Sequence, residues 1–204
     1  MRPARPKLLI ATTNLGKLRE YRGLLPGIPY EIISPTDAGI TAAVEETGCS
    51  FEENARLKAL AFARLSGLLT LSDDSGVQVD VLGGEPGVKS ARYAGDNATD
   101  TQRVAFLLSK LKDVPWEKRT ARVVCVIAIA SPAGHVDIAR GECRVIIATE
   151  PRGEYGFGYD PVLFVPEMGK TFAELPEEVK NRVSHRGRAA IKARRILLKM
   201  AGQL

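Results

Sequence analysis

Two long runs rich in valine and isoleucine constrain the fold of this chain more than any other feature. The runs cover 120–130 and 136–149, and the turn residues Pro132 and Gly134 lie between them. This pattern predicts a long antiparallel hairpin that forms the spine of a sheet. Because shorter strand patterns alternate with helical patterns in the rest of the chain, we expect an α/β fold with a mixed sheet and flanking helices.

The other elements follow from hydrophobic periodicity and from capping residues. Ser50 and Glu53 have the spacing of a capping box, and Asp100 is placed to cap a helix that continues with Val104 and Leu107. In addition to the hairpin, the predicted strands are 7–12, 30–34, 68–72, 77–82 and 162–165. The predicted helices are 14–25, 50–67, 100–111 and 184–200. We expect residues 1–204 to form a single domain with two lobes.

Composition indicates an ordinary globular chain in a reducing compartment. The chain is 45% hydrophobic and 26% charged, and no apolar run approaches the roughly 20 residues that cross a bilayer. The apolar stretch that follows the basic start, 1–6, is too short for a signal peptide. Cys49, Cys125 and Cys143 are odd in number and widely spaced, which favours thiols and a cytoplasmic location.

The positive charge is concentrated at the C-terminal end. Eight of the 29 basic residues and none of the 24 acidic residues follow Glu178, so the rest carries 21 basic and 24 acidic residues, a formal charge of −3. A cationic end of this kind is typical of a protein that binds an anionic partner, and phosphates are the obvious candidates. The alternative is a solvated helix face, which we favour for 192–199.

Two adjacent carboxylates follow the apolar run 68–71. Asp73 and Asp74 are costly to crowd together unless a cation lies beside them. Neighbouring side chains of a strand point to opposite faces, so we expect a turn at Ser75 and Gly76 that lets both carboxylates face one cleft. On this interpretation one aspartate is a magnesium ligand and general base, and the other supports it. Taken alone, the pattern also fits a solvated turn between two strands.

A second candidate site lies where the first predicted strand meets the first predicted helix. Backbone N–H groups at a helix start attract anions, and this junction adds the polar side chains of Thr12, Thr13 and Asn14. Lys17 lies one turn into the helix and can reach back to a phosphate. The spacing is not that of a Walker loop, and an asparagine cap with an exposed lysine explains the pattern equally well.

Aromatic and basic residues in the last third of the chain could recognise a nucleotide base. Phe157 and Tyr159 are interleaved with glycines, so a planar base could stack on either ring while Asp160 reads its edge. His185 and Arg186 fall in the first turn of the last predicted helix, where cations oppose the helix dipole unless an anion or acceptor binds there. The alternatives are a tight loop with core-anchoring rings and a satisfied surface histidine.

Glu45 and Glu46 precede the second predicted helix. A carboxylate at this place could share a hard cation such as Mg²⁺ with Asp74. Two solvated loop acids are the simpler interpretation of these residues by themselves.

These features occur in one chain in an order that resembles the inosine triphosphate pyrophosphatase family, the house-cleaning enzymes of the Ham1 type. The resemblance covers nearly the whole chain, and its motifs are specific in their joint order although each is weak alone. In chain order the motifs are ATTNLGK at 11–17, EETG at 45–48, FEENA at 51–55, DDSG at 73–76, VDVLGG at 79–84, PG at 86–87, SARY at 90–93, GFGYDP at 156–161 and SHRG at 184–187. Ser72 departs from the alanine or glutamate common at its position, and the extension 1–6 has no family role.

The resemblance implies a two-lobed mixed fold with the active cleft between the lobes, a homodimer and dependence on Mg²⁺. It implies hydrolysis of ITP, dITP or XTP to the monophosphate and pyrophosphate, without a nucleic acid or membrane partner. By position it carries catalysis and metal binding to Asp74, with Glu45 preferred to Glu46 as the second metal ligand. The substrate contacts that it implies are Thr12, Thr13, Asn14, Leu15, Gly16, Lys17, Ser75, Phe157, Gly158, Tyr159, Asp160, Lys180, His185 and Arg186.

Two other functions stay open at this point. A Maf-like nucleotide pyrophosphatase has a related architecture and reaction but prefers pyrimidine or modified nucleotides. A nucleic-acid-binding module would explain the basic C-terminal helix but not the two aspartates. Within the purine interpretation, hydrogen-bond donors from Lys180, His185 or Arg186 would favour a 6-oxo group over the 6-amino group of adenine.

Overall fold

The chain forms seven strands and five α-helices within the residues that the computed structural model describes, 5–42 and 44–203. The strands are β1 (Lys7–Ile10), β2 (Glu31–Ile33), β3 (Leu69–Val79), β4 (Thr120–Ala130), β5 (Val136–Ile147), β6 (Leu163–Val165) and β7 (Lys170–Thr171). The helices are α1 (Leu15–Leu24), α2 (Phe51–Ser66), α3 (Asp100–Lys110), α4 (Glu177–Val183) and α5 (His185–Met200). None of these helices has both the length and the apolar character needed to cross a membrane.

The seven strands form one open sheet in the order β2-β1-β3-β4-β5-β6-β7. Strand β1 runs parallel to both β2 and β3, and Leu9 lies opposite Ile33 on one side and Thr70 on the other. Strand β6 runs antiparallel to both β5 and β7. The sheet therefore contains both pairings, which confirms the predicted α/β class with a mixed sheet.

Strands β4 and β5 are neighbours in the sheet and are joined by a tight turn, as the two long apolar runs predict. The N–H of Ser131 donates to the carbonyl of His135 at 2.9 Å, and the N–H of Gly134 donates to the carbonyl of Ser131 at 2.9 Å. Gly134 has a φ of +94°, a conformation that glycine adopts without the steric cost of a side chain. The turn chemistry in the sequence therefore fixes this connection locally.

The chain divides into two compact units, and the first comprises Met1–Asp74, Cys125–Gly141 and Arg186–Leu204. Helix α5 contributes a stripe of buried small and apolar side chains to its core, at the three- and four-residue spacing of one helix face. The buried members of this core are Leu8, Ile10, Leu18, Tyr21, Leu25, Ile28, Leu71, Cys125, Ile127, Ile129, Ala139, Ala189, Ala190, Ala193 and Leu197. Burial of this stripe is what orders the basic C-terminal helix.

The second unit comprises Ser75–Val124 and Glu142–His185. Helix α3 buries Val104 and Leu107 against its core, and Leu111, which caps the end of the helix, lies on the same face. The same core contains Phe172, which is fully buried. This apolar support positions the glycine-rich loop that precedes β6.

Strand β3 differs from its prediction in a way that matters for the site. It is one continuous strand that passes through Asp73 and Asp74, whereas we expected a turn at Ser75 and Gly76. The turn is unnecessary because each carboxylate finds partners on its own face of the strand. The segment 80–82, which we expected to continue a second strand, is a 3-10 turn.

Smaller differences concern caps and short elements. Helix α3 is capped by Thr99 rather than Asp100, in a reciprocal capping box with Gln102. Ser50 caps α2 as predicted, but the Glu53 carboxylate accepts the N–H of Cys49. The sequence patterns do not predict α4 or β7. Residues 1–4 of the basic start lie outside the described residues.

Candidate active site

Asp73 and Asp74 lie side by side in β3, and both are buried. Their exposed fractions are 1% and 6%. Because side chains alternate along a strand, the two carboxylates point to opposite faces and meet different partners. Two aspartates that are adjacent in sequence are therefore in different electrostatic environments.

Asp73 is surrounded by cations. The Oδ2 atom of Asp73 lies 3.0 Å from Nζ of Lys17 and 3.3 Å from Nη2 of Arg186. Burial by itself would raise the pKa of Asp73, but the charges of Lys17 and Arg186 outweigh it and hold that pKa well below its usual range. Asp73 is therefore a carboxylate at neutral pH.

Arg186, at the start of α5, also contacts α1. Its Nη1 donates to Oε2 of Glu20 at 2.7 Å. Arg186 and Glu20 are only 3% and 5% exposed. The family resemblance makes Arg186 a contact of the base, whereas the structure directs donors of this guanidinium to two buried carboxylates of the first unit.

Cys125 is a buried thiol that lies beside the charged side chains of this site. Its Sγ donates to Oδ2 of Asp73 at a separation of 3.7 Å. Burial, together with the negative charge of Asp73, raises the pKa of Cys125 to about 12. The thiol thus stays protonated and acts as a donor to Asp73.

Asp74 is held by an amide. Nδ2 of Asn54, on α2, donates to Oδ2 of Asp74 at 3.0 Å. The Oδ1 atom of Asn54 accepts the N–H of Gly48 at 2.7 Å, which fixes the orientation of the amide. Burial raises the pKa of Asp74 above its usual value, the charge of Glu46 adds to this shift, and the hydrogen bond from Asn54 opposes it.

Glu46 and Lys58 lie beside Asp74. Nζ of Lys58 is 2.5 Å from Oε1 of Glu46. Burial by itself would lower the pKa of Lys58, but the charges of Asp73, Glu46 and Asp74 outweigh it and raise that pKa. Glu45 is exposed, so the structure favours Glu46 over Glu45 as the carboxylate that acts with Asp74.

Asn54 and Lys58 are not among the site residues predicted from the sequence. They lie four positions apart on α2, among the buried residues Phe51, Ala55 and Ala59 of the same helix. Polar side chains at i and i+4 that interrupt an apolar helix face are the signal that could have found them. Helix packing brings this pair to the carboxylates of β3.

The junction of β1 and α1 is the predicted phosphate site. Asn14 caps α1 by accepting the N–H of Lys17 at 3.1 Å, and Thr12 Oγ1 accepts the N–H of Asn14 at 3.1 Å. The exposed or half-exposed residues of this junction are Thr12, Thr13, Asn14, Leu15, Gly16 and Lys17. The asparagine cap and the lysine therefore coexist, and the ammonium of Lys17 is directed to Asp73.

In the second unit, the structure brings together three residues predicted to bind a base. Nζ of Lys180 lies 2.5 Å from Oδ2 of Asp160, and both side chains are nearly fully buried. The same ammonium lies 5.1 Å from the centre of the Phe157 ring. Oδ2 of Asp160 also accepts the N–H of Phe157 at 2.9 Å. An aromatic face, an ammonium and a carboxylate thus share one cluster.

Tyr159 and His185 are both buried, so neither ring presents a flat face to solvent. Tyr159 is 7% exposed, and its hydroxyl donates to the carbonyl of Ser90 at 2.8 Å. His185 is 5% exposed, and its ring centre lies 6.3 Å from that of Phe172. Ser75 is half-buried in β3.

The described residues, 5–42 and 44–203, contain no group of three or more His, Cys, Asp or Glu side chains that could hold a metal ion. Asp74 and Glu46 supply two carboxylates whose charges repel each other. Mg²⁺ is usually bound by one or two carboxylates together with phosphates of a substrate. This pair therefore fits a magnesium ion that is held jointly by protein and nucleotide.

Sequence similarity to known proteins shows which family this chain belongs to. The sequence profile of the Ham1 family matches residues 8–196. The chain belongs to the Ham1 family. Among its Ham1 relatives, the dITP/XTP pyrophosphatase of Geobacter sulfurreducens is 52% identical over 183 residues, 90% of this chain and 92% of the relative. The dITP/XTP pyrophosphatase of Bacillus subtilis is 44% identical over 189 residues, 93% of this chain and 96% of the relative.

Solved structures of Ham1 proteins share this fold. The Ham1 protein of Coxiella burnetii has a TM-score of 0.86 at 39% identity, over 95% of this chain and 99% of that one. The Ham1 protein of Staphylococcus aureus has a TM-score of 0.84 at 39% identity, with the same shares covered. The predicted family is thereby confirmed from both sequence and fold.

Proposed function

We propose that this chain hydrolyses the non-canonical purine nucleotides dITP, XTP and ITP to the monophosphate and pyrophosphate. The observation that carries the proposal is a pair of adjacent buried carboxylates with different partners, Asp73 beside Lys17 and Arg186, and Asp74 beside Asn54. The pKa of Asp73 is lowered and that of Asp74 is raised. Neighbouring titratable groups whose environments separate their pKa values are characteristic of a site with divided acid–base roles. The names of the Ham1 relatives from Geobacter and Bacillus supply the substrate class.

Asp74 is the proposed general base. Its carboxylate takes a proton from a water molecule whose oxygen attacks the α-phosphorus, and the bond from that phosphorus to the pyrophosphate oxygen breaks. Asn54 holds one oxygen of Asp74 at 3.0 Å and so fixes the direction of the carboxylate. General base catalysis of this type contributes about 10²- to 10⁴-fold to the rate.

Cationic side chains of the first unit are proposed to bind the triphosphate. Lys17 and Lys58 both lie among the carboxylates of β3 and Glu46, and substrate phosphates would add to this negative charge. The N-terminus of α1, with Thr12 through Lys17, supplies further donors. Mg²⁺, held by Asp74 and Glu46, would neutralise charge on the phosphoryl oxygens when it is bound.

The base is proposed to bind to the cluster of the second unit. Phe157 offers a ring for stacking, and Lys180 and His185 offer donors to the 6-oxo group of hypoxanthine or xanthine. Adenine presents a 6-amino donor instead, and a buried donor left without an acceptor costs about 1–3 kcal/mol. The guanidinium of Arg186 donates to two buried carboxylates, those of Glu20 and Asp73. A contact between Arg186 and the base, which the family resemblance implies, stays a prediction.

Two further properties belong to the proposal. We expect a homodimer, which light scattering of the purified chain would measure as twice the mass of one chain. We expect a cytoplasmic protein, since the three cysteines are thiols and not disulfides.

The deciding experiment measures pyrophosphate and orthophosphate release from ITP, XTP, dITP, GTP and ATP, with Mg²⁺ and after chelation. We expect Mg²⁺-dependent release of pyrophosphate from ITP, dITP and XTP, and much slower release from GTP and ATP. Orthophosphate as the first product would place the attack on another phosphorus and contradict the mechanism. Preferential turnover of dTTP and UTP, added to the same panel, would favour the Maf-like alternative.

A further inference from the structure

The loop from Gly156 to Asp160 is held by two carboxylates that come from different elements. Asp160 accepts the N–H of Phe157 at 2.9 Å. Asp100, the first residue of α3, accepts the next N–H, that of Gly158, at 2.7 Å. The peptide groups before and after Phe157 are thus both fixed by hydrogen bonds.

Asp100 is itself held in place by Arg103. The guanidinium of Arg103 pairs with Oδ1 of Asp100, which leaves Oδ2 to accept the N–H of Gly158. The same guanidinium donates to the carbonyls of Ala91 at 2.9 Å and Ala98 at 2.6 Å. The carboxylate that holds Gly158 is therefore anchored to the segment before α3 as well as to the helix.

The backbone of this loop leaves little freedom for the ring. Gly156 and Gly158 have φ values of +80° and +65°, and a Cβ on Gly156 would clash with the carboxylate of Asp160. Phe157 lies between them, with its ring centre 5.1 Å from Nζ of Lys180. The orientation of the ring relative to Lys180 therefore depends on where the peptide groups of Phe157 and Gly158 are held.

We propose that Asp100 is a positioning residue for base selectivity. It touches the loop and not the nucleotide, and it fixes the Gly158 peptide so that Phe157 and Lys180 keep the geometry that recognises a 6-oxo purine. This inference rests on the proposed function of the Phe157–Lys180 cluster. Without Asp100 the loop can move. Binding of the preferred base must then order the loop, and the free energy that this ordering costs weakens binding.

The test compares Asp100→Ala and Asp100→Asn with the unmodified chain in steady-state hydrolysis of ITP and ATP. In Asp100→Ala we expect the KM for ITP to rise about tenfold, the scale of one hydrogen bond to a charged group, with kcat changed by less than about twofold. The ratio of kcat/KM for ITP to kcat/KM for ATP therefore falls. Asp100→Asn keeps an oxygen that can accept the N–H of Gly158, so we expect it to restore most of the affinity.

Asp96→Ala is the matched control. Asp96 lies four residues earlier and is exposed, so Asp96→Ala removes the same charge from a solvent-facing position. Amide hydrogen exchange of peptides that cover 155–163 gives a readout independent of turnover. We expect faster exchange there in Asp100→Ala than in Asp96→Ala.

The outcomes separate this inference from the proposed function. An unmodified chain that does not hydrolyse ITP overturns the proposed function, and with it the role of Asp100 in selectivity. An active parent together with an unchanged KM and unchanged exchange in Asp100→Ala overturns the inference alone. A fall in kcat and in melting temperature with KM and selectivity preserved also overturns it, because that pattern belongs to a purely structural role.

Discussion

At the scale of single residues, the site is organised by the alternation of one strand. Asp73 faces Lys17 and Arg186, whereas Asp74 faces Asn54 and the negative charge of Glu46. Despite burial, the ion pairs of Asp73 with Lys17 and Arg186 hold its pKa low, whereas burial raises the pKa of Asp74. A carboxylate of higher pKa is the better proton acceptor. The strand therefore gives Asp73 a structural task, and the proposed chemistry falls to Asp74.

We predict that Asp74→Asn lowers kcat for ITP by at least about 100-fold while the fold is preserved. The amide keeps an oxygen that can accept the N–H of Asn54 but cannot take a proton from water. The measurement is pyrophosphate release at saturating ITP, with circular dichroism as the check on folding. Asp113→Asn, an exposed residue of the second unit, is the control that should keep full activity. A near-normal kcat in Asp74→Asn would remove Asp74 from the role of base.

At the scale of elements, a buried ion pair connects two helices of the first unit. Glu20 on α1 and Arg186 on α5 are 2.7 Å apart, and both side chains are less than a tenth exposed. Arg186 also shares Asp73 with Lys17. This set of two cations and two carboxylates is balanced, so the loss of one carboxylate leaves a buried positive charge without compensation.

We predict that Glu20→Gln lowers the free energy of unfolding by about 3 kcal/mol, the cost of breaking a buried pair by removing one partner. Urea denaturation followed by circular dichroism measures this change. Glu31→Gln removes the same charge from an exposed position on β2 and should leave the stability within about 0.5 kcal/mol. Equal stabilities of the two variants would show that the Glu20–Arg186 contact contributes nothing net.

At the scale of the whole molecule, ligand binding and stability are linked. Any ligand that binds only the folded chain raises its stability by mass action, whichever unit supplies the contacts. Thermal unfolding of the intact protein therefore reports on recognition of the base without any need for turnover. The product monophosphates are suitable probes because they carry the base and are not consumed.

We predict that IMP at about 100 times its dissociation constant raises the melting temperature by about 5–10 °C, the shift for about 2.7 kcal/mol in a chain of this size. AMP at the same concentration should produce a much smaller shift, because its 6-amino group offers no acceptor to Lys180 and His185. Differential scanning fluorimetry or calorimetry measures both. Equal shifts with IMP and AMP would contradict selection through the 6-position.

Local chemistry determined much of what could be predicted. The hairpin of β4 and β5, the cap of α1 at Asn14 and the start of α5 at His185 depend on residues close to one another in the chain. The same holds for the motifs that carry the resemblance to the Ham1 family. Their order along the sequence was enough to predict the fold class and the family, and the prediction of one two-lobed domain over 1–204 stays a prediction.

The tertiary structure alone decided which side chains meet. Arg186 is 113 residues from the Asp73 that it contacts, and Asp100 is 58 residues from Gly158. Helix α2 brings Lys58 to Glu46, although no local signal couples them. Periodicity shows which face of a helix or strand is buried but not what lies opposite that face. Contacts between distant segments depend on the packing of the whole chain, and it is those contacts that set the charge around each carboxylate.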